Sequence, residues 1–446
     1  MKSRYVFPRH CEADLPVAVG GEGVYLITRD GRRILDACGG AAVSCLGHSN
    51  ERVIAAVQSQ VGQLAYAHTS FFASEPAEEL AEFLATRAPG DLNRVYFVSG
   101  GSEAMESALK LARQYFIEAG QPDKSQIIAR WQSYHGNTLG ALATGGNRWR
   151  RAQFAPMLSD AMHHIDPCYA YRGQQQDETE FDYGQRVANQ LEDKILELGP
   201  ESVAAFVAEP VVGATMGAVP SVDGYFKRIR AICDKYDVLL ILDEVMCGMG
   251  RTGYLFACDH DGVQPDMIAI AKGLGAGYQP IGALMVSDRI FDTLAAGSGF
   301  FQHGHTYLGH PTACAAALAV MHEIEHENLL PAVNQRGEAL RAALKQRFGA
   351  HPHVGDIRGR GLFIGLELVQ DRDTKTPFSP SQRVHAGLKA AAMKAGLMCY
   401  PMGGTIDGQK GDHILLAPPF IIDDSHIAEI TDKLAIALEE TIRSVS

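Results

Sequence analysis

Hydrophobic positions along the chain switch repeatedly between a two-residue and a 3.6-residue period. Val24-Tyr25-Leu26-Ile27 and Ile34-Leu35 flank Asp30-Gly31, which predicts a hairpin. Gly39-Gly40-Ala41-Ala42-Val43 follows as a tight crossing of small residues. Val53, Val57 and Val61 fall on one helical face, and Glu78 to Leu84, with Pro76 near its start, predicts a second helix. Asn93 to Val98 reads as a strand, Ser99-Gly100-Gly101 as a turn, and Met105, Leu109, Ala112 and Phe116 as the buried stripe of the next helix. Apolar runs at Ile127 to Ala129, Val203 to Ala208, Val238 to Leu242 and Met267 to Ala271 are each bounded by polar or turn residues and read as buried strands. Asp160 to Glu180 is polar and is expected to be an irregular excursion.

Strands alternating with helices predict a mostly parallel, doubly wound α/β sheet. From about Val354 the character changes. Ile357 to Glu367 is strand-like and interrupted by glycines, and Gly403 to His413 is a polar loop before Ile414-Leu415-Leu416. No tandem repeat or low-complexity tract is visible.

Composition narrows the function classes. The 446 residues suffice for two or more domains, with 46% hydrophobic and 21% charged residues. A net charge of −12 argues against a nucleic-acid binder but leaves room for a local anion site. The nine cysteines contain no C-x-x-C pair, which fits a reduced chain without a zinc site. Met1 to His10 lacks the apolar core of a signal peptide, and no apolar run approaches membrane-spanning length, so a cytoplasmic protein with no membrane partner is expected.

Two strand ends carry candidate chemistry. Met267-Ile268-Ala269-Ile270-Ala271 ends in Lys272 and a run of alternating glycines, and Leu239 to Leu242 ends in Asp243-Glu244. A desolvated lysine is biased toward the neutral amine, a nucleophile that forms Schiff bases with carbonyl compounds. A carboxylate at a neighbouring strand end can keep a pyridine nitrogen protonated, which is what pyridoxal phosphate requires. A magnesium-binding role for Asp243-Glu244 would need a G-x-x-x-x-G-K-[ST] loop, and the chain has none. A dinucleotide reading of Gly273-Leu274-Gly275-Ala276-Gly277 fails because Tyr278 stands where the third glycine belongs. Gly101 and Ser102 open a helix and suit a phosphate, although Ser102 could equally be only an N-cap. Tyr134-His135 just past a strand could stack on a flat ring or pack under a loop. His303, His305 and His310 lack the carboxylate or cysteine that would complete a metal site, so no metal is expected.

Taken in order, Ser99-Gly100-Gly101-Ser102-Glu103-Ala104, Tyr134-His135-Gly136, Leu242-Asp243-Glu244-Val245 through Gly250-Arg251-Thr252-Gly253, Ala271-Lys272-Gly273 and His305-Thr306-Tyr307-Leu308-Gly309-His310-Pro311 resemble the class III, or ω-, aminotransferases. The likeness covers nearly the whole chain. It implies a fold type I α/β transferase: a large domain with a seven-stranded, mostly parallel sheet flanked by helices, and a smaller α+β domain built from both termini. The corresponding segments are 1–54 and 326–446 for the small domain and 55–325 for the large one. The implied reaction moves an amino group from a primary amine or ω-amino acid to a keto acid, with pyruvate expected, by a ping-pong route. A decarboxylase or aminomutase of the same family uses the same core residues, and a non-catalytic relative would be expected to lack the lysine and acid.

The resemblance also implies roles. Lys272 holds the cofactor as a Schiff base and moves the proton, and Asp243 pairs with the pyridine nitrogen. Tyr134 and Val245 sandwich the ring, Gly101 and Ser102 hold the phosphate, and His135, Gly136 and Glu209 complete the surroundings. Thr306 reaches the phosphate of a neighbouring subunit, which makes a homodimer with shared sites the expected unit. The pocket for small-molecule amine and keto-acid substrates is expected from Ala42, Phe72, Tyr134, Tyr400 and Lys410. Many relatives place a mobile arginine near the position of Tyr400; this chain has none there, and Lys410 in the longer loop is the candidate replacement. Small residues at Ala41-Ala42 imply room for a bulky or long amine.

Overall fold

The computed structural model describes residues 5–445. Its centre is a seven-stranded sheet made of β1 (Arg94–Val98), β2 (Gln126–Arg130), β3 (Met162–Ile165), β4 (Val203–Ala208), β5 (Leu239–Asp243), β6 (Met267–Ile270) and β7 (Gly282–Val286). The spatial order is β1-β7-β6-β5-β4-β2-β3. Neighbouring strands are parallel except at β7, which runs antiparallel to both β6 and β1. The expected doubly wound sheet is present, with one reversed strand.

The middle of the sheet is apolar on both faces because helices cover both. All residues of β4, β5, β6 and β7 are buried. Alternate side chains feed two different core clusters: Leu240 and Leu242 join one, Leu239 and Ile241 the other. Each fully buried leucine or isoleucine contributes about 1.5–3 kcal/mol relative to exposure. The helix Gly101–Glu118 buries Met105, Leu109, Ala112 and Phe116, the stripe expected from its period.

The edge strand β3 corrects the expectation of an irregular excursion after Asp160. Met162-His163-His164-Ile165 looks polar, yet it adds to the sheet through its backbone, in register with Ile127 to Arg130. Its histidines are tolerated because each finds a partner: His163 meets Gln126 Oε1 at 2.8 Å, and His164 meets the Thr144 carbonyl at 2.9 Å and stacks on Trp131.

Both ends of the chain enter a second, four-stranded sheet. The hairpin of Tyr25–Thr28 and Arg33–Asp36 forms as expected, and Leu397–Met398 pairs in parallel with Leu35 and Asp36. A third sheet joins Val354–Arg360, Phe363–Leu368, Asp412–Leu416 and Tyr400–Gly403. It is tied to the central domain through Arg358. That side chain is buried, pairs with partly exposed Asp356 and buried Glu367, and donates to the carbonyls of Met216 (2.6 Å) and Gly217 (2.9 Å). No helix among the described residues is long and apolar enough to cross a membrane.

Candidate active site

The parallel register of β4, β5 and β6 brings three polar residues to one edge. Ala208 lies opposite Leu242 and Asp243 opposite Ala269, so Glu209, Asp243 and Lys272 emerge side by side at the carboxyl ends of adjacent strands. They line a cavity of about 530 Å³, within the range of small-ligand sites. Lys272 takes a left-handed backbone conformation, φ 46°. For a long side chain that conformation is strained and is kept only where the surroundings enforce it. Burial pulls the Lys272 amine down to about 8, against the opposing pull of Asp243 and Glu209.

The Asp-Glu pair at the end of β5 divides its work by direction. Asp243 Oδ2 is 2.8 Å from His135 Nδ1, and Oδ1 accepts the Val245 N–H at 3.0 Å. Glu244 turns the other way and accepts the N–H groups of Ala257 (2.5 Å) and Cys258 (2.8 Å), so it pins a loop rather than facing the cavity. Burial pushes its carboxyl up to about 7. Glu209 accepts from Tyr134 N–H at 3.1 Å and Gly213 N–H at 2.8 Å, and burial, with Asp243 adding to it and His135 opposing, raises its carboxyl. Glu209 thereby fixes the backbone that presents the Tyr134 ring.

Opposite this edge, the start of the helix Gly101–Glu118 faces the cavity through Gly101 and Ser102. A helix start carries free N–H groups and a partial positive charge. Two glycines make the close approach possible. A Cβ on Gly101 would come within 2.8 Å of Val245, and one on Gly136, whose φ is 135°, within 2.6 Å of Ser102 Oγ. Ser102 Oγ itself accepts from Asn137 N–H at 3.0 Å. Asn137 caps this corner and was not anticipated.

Tyr134, His135, Gly136, Val245 and Tyr400 all line the same cavity. Four expected residues do not. Ala42 is buried in a core cluster, with φ 62° in a kinked turn, and its neighbours Ala41 and Val43 face the cavity in its place. Phe72 is 65% exposed and borders a separate cavity of about 640 Å³. Its loop is closed by its own backbone, Phe72 N–H to the His68 carbonyl. Lys410 is exposed because Asp407 Oδ1 accepts the backbone N–H groups of Gln409 and Lys410, curling that loop into solvent. Thr306 is exposed, outside the cavity of its own chain, and its carbonyl accepts from the Tyr66 hydroxyl at 2.8 Å.

Of the histidines after Phe301, His303 has other partners: it meets Ser107 Oγ at 2.9 Å and Lys110 Nζ at 3.0 Å. Among the described residues one cluster, Glu323, His326 and Glu327, comes within metal-binding range, and the Arg52 guanidinium already occupies it.

Two cations in the wall were missed. Arg9 sits at the exposed rim, and Arg150 has its Cζ 4.8 Å from the centre of the Tyr134 ring. The sequence offers Arg148, Arg150 and Arg151 in one short helix, and no local signal says which one turns inward. Packing decides it: Arg148 lies over Trp131, while Arg151 donates to the carbonyls of Leu142, Ala143 and Gly145.

Pyridoxal phosphate fits these residues. If bound here, its aldehyde would meet Lys272, its pyridine nitrogen Asp243, its ring faces Tyr134 and Val245, and its phosphate the Gly101-Ser102 helix start. The glycine cradle, where added Cβ atoms would collide, gives that correspondence a steric basis.

Comparison with known proteins identifies the family. The class III aminotransferase family profile matches residues 9–438. An uncharacterised aminotransferase of Schizosaccharomyces pombe is 45% identical, covering 100% of this chain and 97% of the relative. The putrescine–pyruvate aminotransferase of Pseudomonas aeruginosa is 38% identical over 95% of this chain and 90% of its own length. The ω-transaminase of Pseudomonas jessenii, solved in complex with PMP, superposes with a TM-score of 0.92 at 34% identity, covering 99% of this chain and 96% of that one. The chain therefore belongs to the class III aminotransferases and is a pyridoxal-phosphate-dependent enzyme.

Proposed function

We propose that this enzyme moves an amino group from a long or bulky primary amine, or an ω-amino acid, to a keto acid, with pyruvate as the expected acceptor. The observation that carries the reading is the Lys272 amine, held near 8 by burial, sharing one cavity with Asp243. Pyridoxal phosphate, when bound, supplies an aldehyde and an electron-withdrawing ring. Lys272 Nζ would hold that aldehyde, and its amine is the group placed to take the proton from the donor carbon. Asp243, oriented by His135 and the Val245 N–H, is the carboxylate that would pair with the ring nitrogen. Tyr134 and Val245 would flank the ring, and the Gly101-Ser102 turn would hold its phosphate.

The inner wall at Ala41, Val43, Ala214 and Met246 is small or flexible, which supports a long donor over a compact α-amino acid. The relative that acts on putrescine and pyruvate points the same way. The shared-site homodimer belongs to the same reading. Support comes from Thr306, Tyr307 (60% exposed), Phe71 (79%) and Phe72 (65%), aromatic and polar groups left on the surface of one chain. The division into 1–54 with 326–446 around 55–325 is supported by the parallel pairing of Leu397–Met398 with Leu35 and Asp36. A cytoplasmic setting is supported by nine unpaired cysteines, eight of them buried.

Initial rates with a panel of diamines, ω-amino acids and small α-amino acids, each paired with pyruvate, test the proposal. Parallel double-reciprocal lines and a preference for long donors are expected. Activity confined to small α-amino acids, or CO2 release in place of amino transfer, would overturn it. Asp243→Asn should lower turnover by at least about 100-fold.

A further inference from the structure

A keto acid brings a carboxylate into a wall that already carries two acids, Asp243 and Glu209. That carboxylate must be held away from them by a cation that has no other task. Three cations line the cavity: Lys272, Arg9 and Arg150. Lys272 is committed to the cofactor and the proton. Arg9 is exposed at the rim, where water screens it. Arg150 differs from both.

The Arg150 backbone is fixed: its N–H donates to the Asn147 side chain at 3.1 Å, which caps the short helix Arg148–Ala152. Its guanidinium lies against the Tyr134 ring, Cζ 4.8 Å from the centre, within cation–π range. Its Nε is buried and has no acceptor, and no ion pair engages the group among the described residues. Buried donors are ordinarily satisfied, and a guanidinium fork matches a carboxylate with two parallel hydrogen bonds. The two neighbouring arginines are spoken for by Trp131 and by three carbonyls.

We propose that Arg150, braced on Tyr134, is the anchor for the carboxylate of the keto-acid acceptor and of any ω-amino acid donor. The group is supplied from the strand-end side of the cavity, by the helix after β2, rather than from the Tyr400 loop. This rests on the aminotransferase reading of the site. It makes a specific division: substrates with a carboxylate depend on Arg150, whereas a simple monoamine donor does not engage it through charge.

Stopped-flow absorbance of the holoenzyme separates the two half-reactions. In Arg150→Leu the KM for pyruvate should rise roughly 10- to 100-fold, the loss of one charge-assisted hydrogen-bond pair, with a far smaller change in the half-reaction of a monoamine. Arg150→Lys should recover part of the affinity. Arg9→Ala should change the pyruvate KM less than Arg150→Leu does. A calorimetric titration with propanoate, which has the carboxylate but no carbonyl, should show weaker binding to Arg150→Leu than to wild type. Equal losses in both half-reactions, an unchanged pyruvate KM, or a larger effect from Arg9→Ala would overturn the proposal. If wild type transfers nothing to any keto acid, the functional reading fails, and the propanoate titration still decides whether Arg150 binds carboxylates.

Discussion

At the scale of single residues, the reactive amine owes its state to burial more than to its neighbours. Desolvation brings Lys272 down to about 8 even though Asp243 and Glu209 pull it upward. The sign follows directly: raising the pH through 8 deprotonates the native amine, whereas an ordinary lysine would wait until about 10.4. Covalent capture of pyridoxal phosphate by the apoenzyme should therefore accelerate as pH rises and level off above about 8, followed as the growth of cofactor absorbance. A midpoint near 10 would show that the amine is not desolvated. Lys272, Asp243, Gly101, Ser102 and Tyr134, which line one cavity, share one property. Each sits where a strand ends or a helix begins, so local pattern fixes its direction. Ala42, Phe72 and Lys410 lie in turns and loops, where no period tells which way a side chain points.

At the scale of elements, the polar loop before Asp412–Leu416 shows how the third sheet is locked to the cavity wall. His413 is fully buried, with Nδ1 2.7 Å from Thr405 Oγ1 and Nε2 3.0 Å from the Ala214 carbonyl, and Ala214 lines the cavity. Burial drives its imidazole down to about 3. The unfolded chain protonates this histidine near 6.5 while the native chain does not, so stability falls as pH drops below 6.5. The loss approaches about 1.4 kcal/mol per pH unit at the steepest. Thermal melts between pH 7 and 5 should show this slope, and His413→Gln should flatten it. An unchanged slope would mean that His413 already carries a proton in the native state. The same element scale explains the misjudged edge strand: β3 is held by backbone pairing, which a polar side-chain pattern does not reveal.

At the scale of the whole molecule, a single chain leaves Thr306 and a group of aromatic residues outward, while the cavity it forms lacks any contribution from them. If a second copy completes the site, sedimentation should give twice the mass of one chain. Thr306→Val should then weaken cofactor retention roughly 10-fold, the loss of one hydrogen bond to a charged group, without altering the fold. Dialysis followed by absorbance measures that retention. A fully active monomer would remove the shared-site arrangement and leave the cavity geometry standing.

The order of apolar runs and turn residues along the chain was enough to predict the parallel sheet, and a set of short motifs carried the resemblance to the family. These follow from periodicity and from short backbone motifs, which are local properties of the chain. Only the tertiary structure decided that Glu244 turns away while Asp243 faces inward, that Ala41 and Val43 replace Ala42 in the wall, and that Arg150 rather than Lys410 meets the cavity. Each of those outcomes depends on which neighbours claim a side chain first. Arg148 and Arg151 are taken by Trp131 and by carbonyls across a turn, and contacts between different elements leave no mark on the local pattern.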